Sequence, residues 1–117
     1  MRGHYGRGMT TSDEQRQILT VFRNRLRPEN VEHYRATSAR MDELARAMPG
    51  FVDAKTFTAD DGERVTIVTF ADADSQRAWR DHPEHLEAQA AGIAEFYSEY
   101  SIQVAALAYR HNFAHDD

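Results

Sequence analysis

The chain has 117 residues, with 14 Lys and Arg against 19 Asp and Glu and a net charge of −5; this length fits one domain around one core, not two. Hydrophobic residues make up 41% and charged residues 28%, the balance of a globular chain, and the acidic excess without a basic run argues against a nucleic-acid binder. The absence of cysteine removes disulfides, thiolate nucleophiles and Cys-based metal sites together, and no apolar run approaches the roughly 18 residues of a membrane span.

Residues 1–16 carry three glycines and no hydrophobic period. They predict a flexible tail, with Met9 as a second candidate start, and they lack the apolar stretch of a secretory signal; a cytoplasmic location is the expectation. Gln17–Arg25 predicts a first strand, with Ile18, Thr20, Phe22 and Asn24 on one face and Leu19, Val21, Arg23 and Arg25 on the other. Arg27-Pro28-Glu29-Asn30 opens a helix, with Pro28 expected in its first turn. Val31, Tyr34, Met41, Leu44 and Met48 recur along it at helical spacing, and Pro49-Gly50 ends it.

Phe51–Ala59 predicts a second strand and Glu63–Phe70 a third, joined across Asp60-Asp61-Gly62 as a hairpin. Asp72 to Ser75 offers N-cap residues for the short helix QRAWRD, which His82-Pro83 interrupts. Pro83 suits the first turn of a longer helix, expected from Glu84 to about Tyr97. Ser101–Ala108 predicts a fourth strand, and 109–117 a C-terminal tail.

The order βαββαβ predicts an α+β, ferredoxin-like domain over 17–108, with a four-stranded antiparallel sheet and helices on one face. Both strand faces carry apolar residues, so the helix-free face is expected to be apolar too. An exposed patch of that size predicts a homodimer in which two sheets pack together.

Four blocks carry a family resemblance over roughly 17–108: PGF at 49–51, DGERVTIVTFAD at 61–72, AWRDHPEHLEAQ at 78–89 and EFYSEYSIQV at 95–104. The chain resembles the antibiotic biosynthesis monooxygenase superfamily of dimeric α/β-barrel proteins. The resemblance implies two activities. One is oxygenation of phenolic or anthrone-like polyketides to quinones without metal or flavin; the other is oxidative degradation of haem. Isomerases and cyclases share the scaffold, and fold alone does not choose among them. The haem-degrading relatives have an asparagine on the first strand, a tryptophan before the last helix and a histidine ligand within it. Asn24 and Trp79 match the first two, but Gln89 stands at the histidine position. His85 lies one helical turn earlier.

A helical wheel at roughly 100° per residue puts Leu86, Gln89, Ala90, Ile93, Phe96, Tyr97 and Tyr100 on one face, with Trp79 and His82 on the same side. Polar tips on an apolar stripe must find partners or line a cavity. The expected site is therefore a pocket between this helix and the sheet. Its catalytic candidates are His82 or His85 as base, with Trp79, Asn24 and a tyrosine as donors. Phe22, Leu86, Gln89, Ile93, Tyr97 and Tyr100 are the candidate substrate contacts. The substrate is expected to be a small aromatic molecule, oxidised with O₂ and no cofactor.

Each residue also has a plainer reading: Trp79 as a core anchor, His82 as a helix cap, His85 as a solvated histidine, Gln89 bonded to a strand backbone, the tyrosines as packing and Asn24 as a turn residue. His82 and His85 have a chelating i, i+3 spacing, but no third ligand is fixed by a motif. The alternatives in function are haem binding or degradation, a non-catalytic small-ligand-binding dimer, and an isomerase or cyclase. No nucleic-acid or membrane partner is expected.

Overall fold

Four runs rich in β-branched and aromatic residues form one antiparallel sheet in the order β2-β3-β1-β4: Ile18–Leu26 (β1), Phe51–Thr58 (β2), Arg64–Phe70 (β3) and Tyr97–Ala106 (β4). The structure, a computed structural model, describes residues 15–116. All but the last two residues of the expected N-terminal tail lie outside that range. Three helices complete the α+β, ferredoxin-like fold: Val31–Ala47 (α1), Ala73–Arg80 (α2) and Pro83–Ala91 (α3). None of the described helices is long and apolar enough to cross a membrane.

Local chemistry sets the boundaries. Pro28 stands in the linker before α1 rather than in its first turn, because the chain must first pass through Asn30, which has a left-handed backbone (φ 61°). The Asp72 side chain accepts the Ser75 N–H at 2.8 Å and starts α2. In the hairpin, Gly62 takes φ 91° and the Ala59 N–H donates to the Glu63 carbonyl at 2.8 Å. The last helix is shorter than expected. It stops at Ala91, and a π-helical turn, Gly92–Phe96, delivers the chain straight into β4 at Tyr97.

The register sorts side chains into rows across the sheet. On the inner face, under the helices, these are Ala106–Ile18–Phe70–Phe51, Val104–Thr20–Val68–Ala54, Ile102–Phe22–Thr66–Thr56 and Tyr100–Asn24–Arg64–Thr58. Phe70, Trp79 and Ala45 are buried together at one end, against Met41, Leu44, Met48, Phe51 and Val68. On the outer face, Leu19, Val21, Val65 and Ile67 form an apolar centre. Its flanks are mixed: β2 places Asp53, Lys55 and the exposed Phe57 there, and β4 places Ser101, Gln103 and Ala105. Ion pairs of Arg23 with Glu63 and of Arg25 with Asp61 lie beside it.

Candidate functional site

Between the inner face of the sheet and the helices lies a cavity of about 340 Å³, the size of a small-ligand pocket. Its floor is Thr20, Phe22 and Asn24 of β1 with Thr66 and Val68 of β3; its roof is Tyr34, Thr37 and Met41 of α1. Gln76 and Trp79 of α2 and His85 and Gln89 of α3 close one side. Tyr100, Ile102 and Val104 of β4 line the opposite side and are exposed, so the cavity opens along that strand.

Seven of the residues expected at a site share this cavity: Asn24, Phe22, Trp79, His85, Gln89, Tyr97 and Tyr100. Three do not. His82 caps α3, its Nδ1 accepting the Glu84 N–H at 3.1 Å, and it does not line the cavity. Leu86 is 47% exposed and Ile93 60% exposed, and both lie outside it. The wheel that joined them to the tyrosines assumed one helix through residue 100. The π-helical turn breaks that phase, and Tyr97 and Tyr100 reach the cavity from a strand instead.

Trp79 and His85 form the ordered part of the wall. Their rings stack with centroids 4.3 Å apart and planes 18° apart. His85 Nδ1 lies 3.1 Å from the Trp79 carbonyl and 3.4 Å from that of Arg80. A carbonyl only accepts, so Nδ1 carries the proton and Nε2 of the neutral ring is an acceptor. Burial pushes the His85 pKa below its ordinary 6.5, although both carbonyls oppose the shift. The Trp79 indole N–H has no hydrogen-bond partner among the described residues.

The other end of the cavity is aromatic. Phe22 meets Tyr97 edge-on at 5.3 Å and Tyr100 at 5.7 Å, while Tyr34 packs on Phe96 at 5.6 Å. The Tyr97 phenol is pushed up to about 12, first by burial and then by Tyr34, with Arg64 opposing. It stays protonated as a donor.

Three groups escaped the sequence reading: Tyr34, read only as part of an apolar helical stripe; Gln76, three residues before Trp79 on the same helix face; and Arg64, on the inner face by strand parity with Thr66 and Val68. Gln76 is 8% exposed and lines the cavity.

Gln89, at the position where the resemblance expects a haem-ligating histidine, is not an iron ligand; His85, with Nδ1 donating to carbonyls, keeps Nε2 unengaged among the described residues. Among the described residues no group of three His, Asp or Glu is placed to hold a metal ion.

A family model described as antibiotic biosynthesis monooxygenase matches residues 17–91. Among solved structures, Rv0793 from Mycobacterium tuberculosis is similar with 21% identity and a TM-score of 0.69, over 78% of this chain and 94% of that one. A mutant form of SnoaB from Streptomyces nogalater, a cofactor-independent oxygenase, is similar with 20% identity and a TM-score of 0.67, over 82% and 94%. A conserved protein from Methanosarcina mazei Go1 is similar with 14% identity and a TM-score of 0.69, over 80% and 95%. No protein with a curated description matches the chain.

Proposed function

The chain belongs to the antibiotic biosynthesis monooxygenase family, and from that membership we propose that it is a cofactor-independent monooxygenase of small aromatic, anthrone-like molecules. The observation that carries the reading is His85: a neutral imidazole with its proton fixed on Nδ1, in the wall of an apolar cavity. The likeness to SnoaB supports it.

The chemistry asks for a base, donors and exclusion of water. His85 Nε2 takes a proton from the activated methylene of the substrate. The resulting anion passes one electron to O₂, and the two radicals combine into a carbon-bound peroxide. The second hydrogen of that carbon leaves as a proton, the O–O bond breaks, and the ring keeps one oxygen as a carbonyl while the other departs as water. In sum, CH₂ and O₂ give C=O and H₂O. Trp79 and Asn24 are the donors to the oxygens, and Phe22, Gln89, Tyr97 and Tyr100 hold the ring. His82 has no part in this, because its Nδ1 is committed to the α3 backbone.

The same reading seats a second copy of the chain on the apolar centre of the outer face. The expected test result is oxygen uptake with at least one member of an anthrone and dihydroquinone panel. His85→Gln lowers kcat/KM by about 100-fold or more, as removal of a general base does, and His82→Ala changes it little. No uptake above background across the panel sinks the proposal. Turnover of the same compounds without oxygen replaces it with an isomerase or cyclase.

A further inference from the structure

The inner face of the sheet ends, opposite the Phe70–Trp79 core, in the row Tyr100–Asn24–Arg64–Thr58. Arg64 is half-buried and pairs with no carboxylate among the described residues, whereas Arg23, Arg25, Arg40 and Arg46 each hold one. A terminal nitrogen of Arg64 donates to the Tyr34 hydroxyl at 2.9 Å. Its guanidinium also lies over the Tyr34 ring, 5.3 Å from the centre. The Arg64 Nε–H is buried without a partner, and so is Oδ1 of Asn24, a residue only 3% exposed. Buried polar groups are almost always satisfied, so a donor and an acceptor left open on directly opposed residues need a reason.

Their chemistry supplies one. Tyr34 and Asn24 line the cavity, and Arg64 stands behind them. Tyr34 accepts from Arg64, which leaves its own hydroxyl proton to donate. Asn24 faces Arg64 across the two strands without a hydrogen bond to it, and its amide N–H groups are donors. A single cation then polarises the Tyr34 hydroxyl that it bonds and sets its positive charge beside the Asn24 amide. We propose that Tyr34 and Asn24, backed by Arg64, form an oxyanion subsite that selects substrates bound as phenolates or enolates over neutral arenes. The proposal rests on reading the cavity as an aromatic-substrate site. Arg64 acts through its two neighbours and is a positioning residue. The other titratable groups facing the subsite are Tyr97 and Tyr100.

The probes are 4-nitrophenol, whose two protonation states differ in colour, and nitrobenzene, its neutral counterpart. Bound to the wild-type protein, 4-nitrophenol is expected to ionise about one pH unit lower than in solution, the effect of a nearby opposite charge. Arg64→Met is expected to abolish that shift while nitrobenzene binds as before, and Arg64→Lys to restore part of it. A purely structural Arg64 instead weakens both probes alike and leaves the shift in place, which overturns the proposal. An unshifted or raised ionisation of the wild-type complex overturns it without any variant. If nitrobenzene binds and 4-nitrophenol shows no preference for its anion, the subsite alone fails. If neither probe binds, the aromatic-substrate reading fails and the subsite with it.

Discussion

His85 is kept neutral by its surroundings, and the consequence can be read in stability as well as in rate. Its folded pKa lies below the ordinary 6.5 because burial penalises the cation. Between the lowered and the ordinary value the unfolded chain binds more protons than the folded one, so stability rises with pH there. The contribution is complete above about 6.5 and is lost as pH falls toward the folded value. Urea midpoints measured from about pH 5 to pH 8 are therefore expected to fall on the acid side, and His85→Gln to flatten that slope. An equal slope in the variant assigns the acid sensitivity to another group. For Trp79, Trp79→Phe keeps the buried ring and removes the indole N–H; thermal midpoint and oxygen uptake measured together separate packing from donation. Residue chemistry was only partly legible in the sequence. Asn24, Trp79 and Gln89 stood out as polar groups on apolar faces, but His82 and His85 could not be told apart. What separates them is which Nδ1 meets a backbone N–H and which meets a carbonyl.

The elements that deliver these side chains are held by two glycines. Gly92 opens the π-helical turn, and a Cβ there would stand 2.6 Å from Cε2 of Tyr97. Gly92→Ala must push that ring off its seat, with a cost of about 1–3 kcal/mol typical of overpacking. A lowered thermal midpoint together with weaker aromatic-ligand binding is the expected result; a lower midpoint with unchanged binding assigns Tyr97 no share in the cavity. Gly50 has φ 85°, and a Cβ there would lie 2.5 Å from that of Ser75. Gly50→Ala is expected to destabilise the α1–β2 connection without touching the cavity chemistry. The strands and the Asp-Gly hairpin were legible because alternation and turn chemistry are local. The end of α3 was not. Residues 92–96 keep helical composition, and nothing local marks a π-helical turn, so the wheel ran on and carried Leu86 and Ile93 to a face they do not share with Tyr97.

At the scale of the molecule, the sheet turns its inner face to the cavity and leaves its outer face free of helices. The proposed second copy depends on Leu19, Val21, Val65 and Ile67, four side chains at the centre of the outer face. Ile67→Asp is expected to convert a dimer into a monomer in sedimentation velocity while circular dichroism stays native-like; a wild-type monomer at micromolar concentration removes the dimer outright. The βαββαβ order made the helix-free face legible in the sequence. Its composition follows strand parity: the apolar centre on β1 and β3 continues to Phe57 on β2, while Asp53, Lys55, Ser101 and Gln103 make the rest of the flanks polar. The cavity on the other side is a gap between two layers, bounded by the sheet below and helices above, and unroofed beside Tyr100, Ile102 and Val104. Such a slot gauges thickness rather than length. Fused planar rings should slide in edgewise and extend past the rim, whereas the same skeleton bearing one out-of-plane substituent should be refused, and a KM series built on that single difference would reveal it.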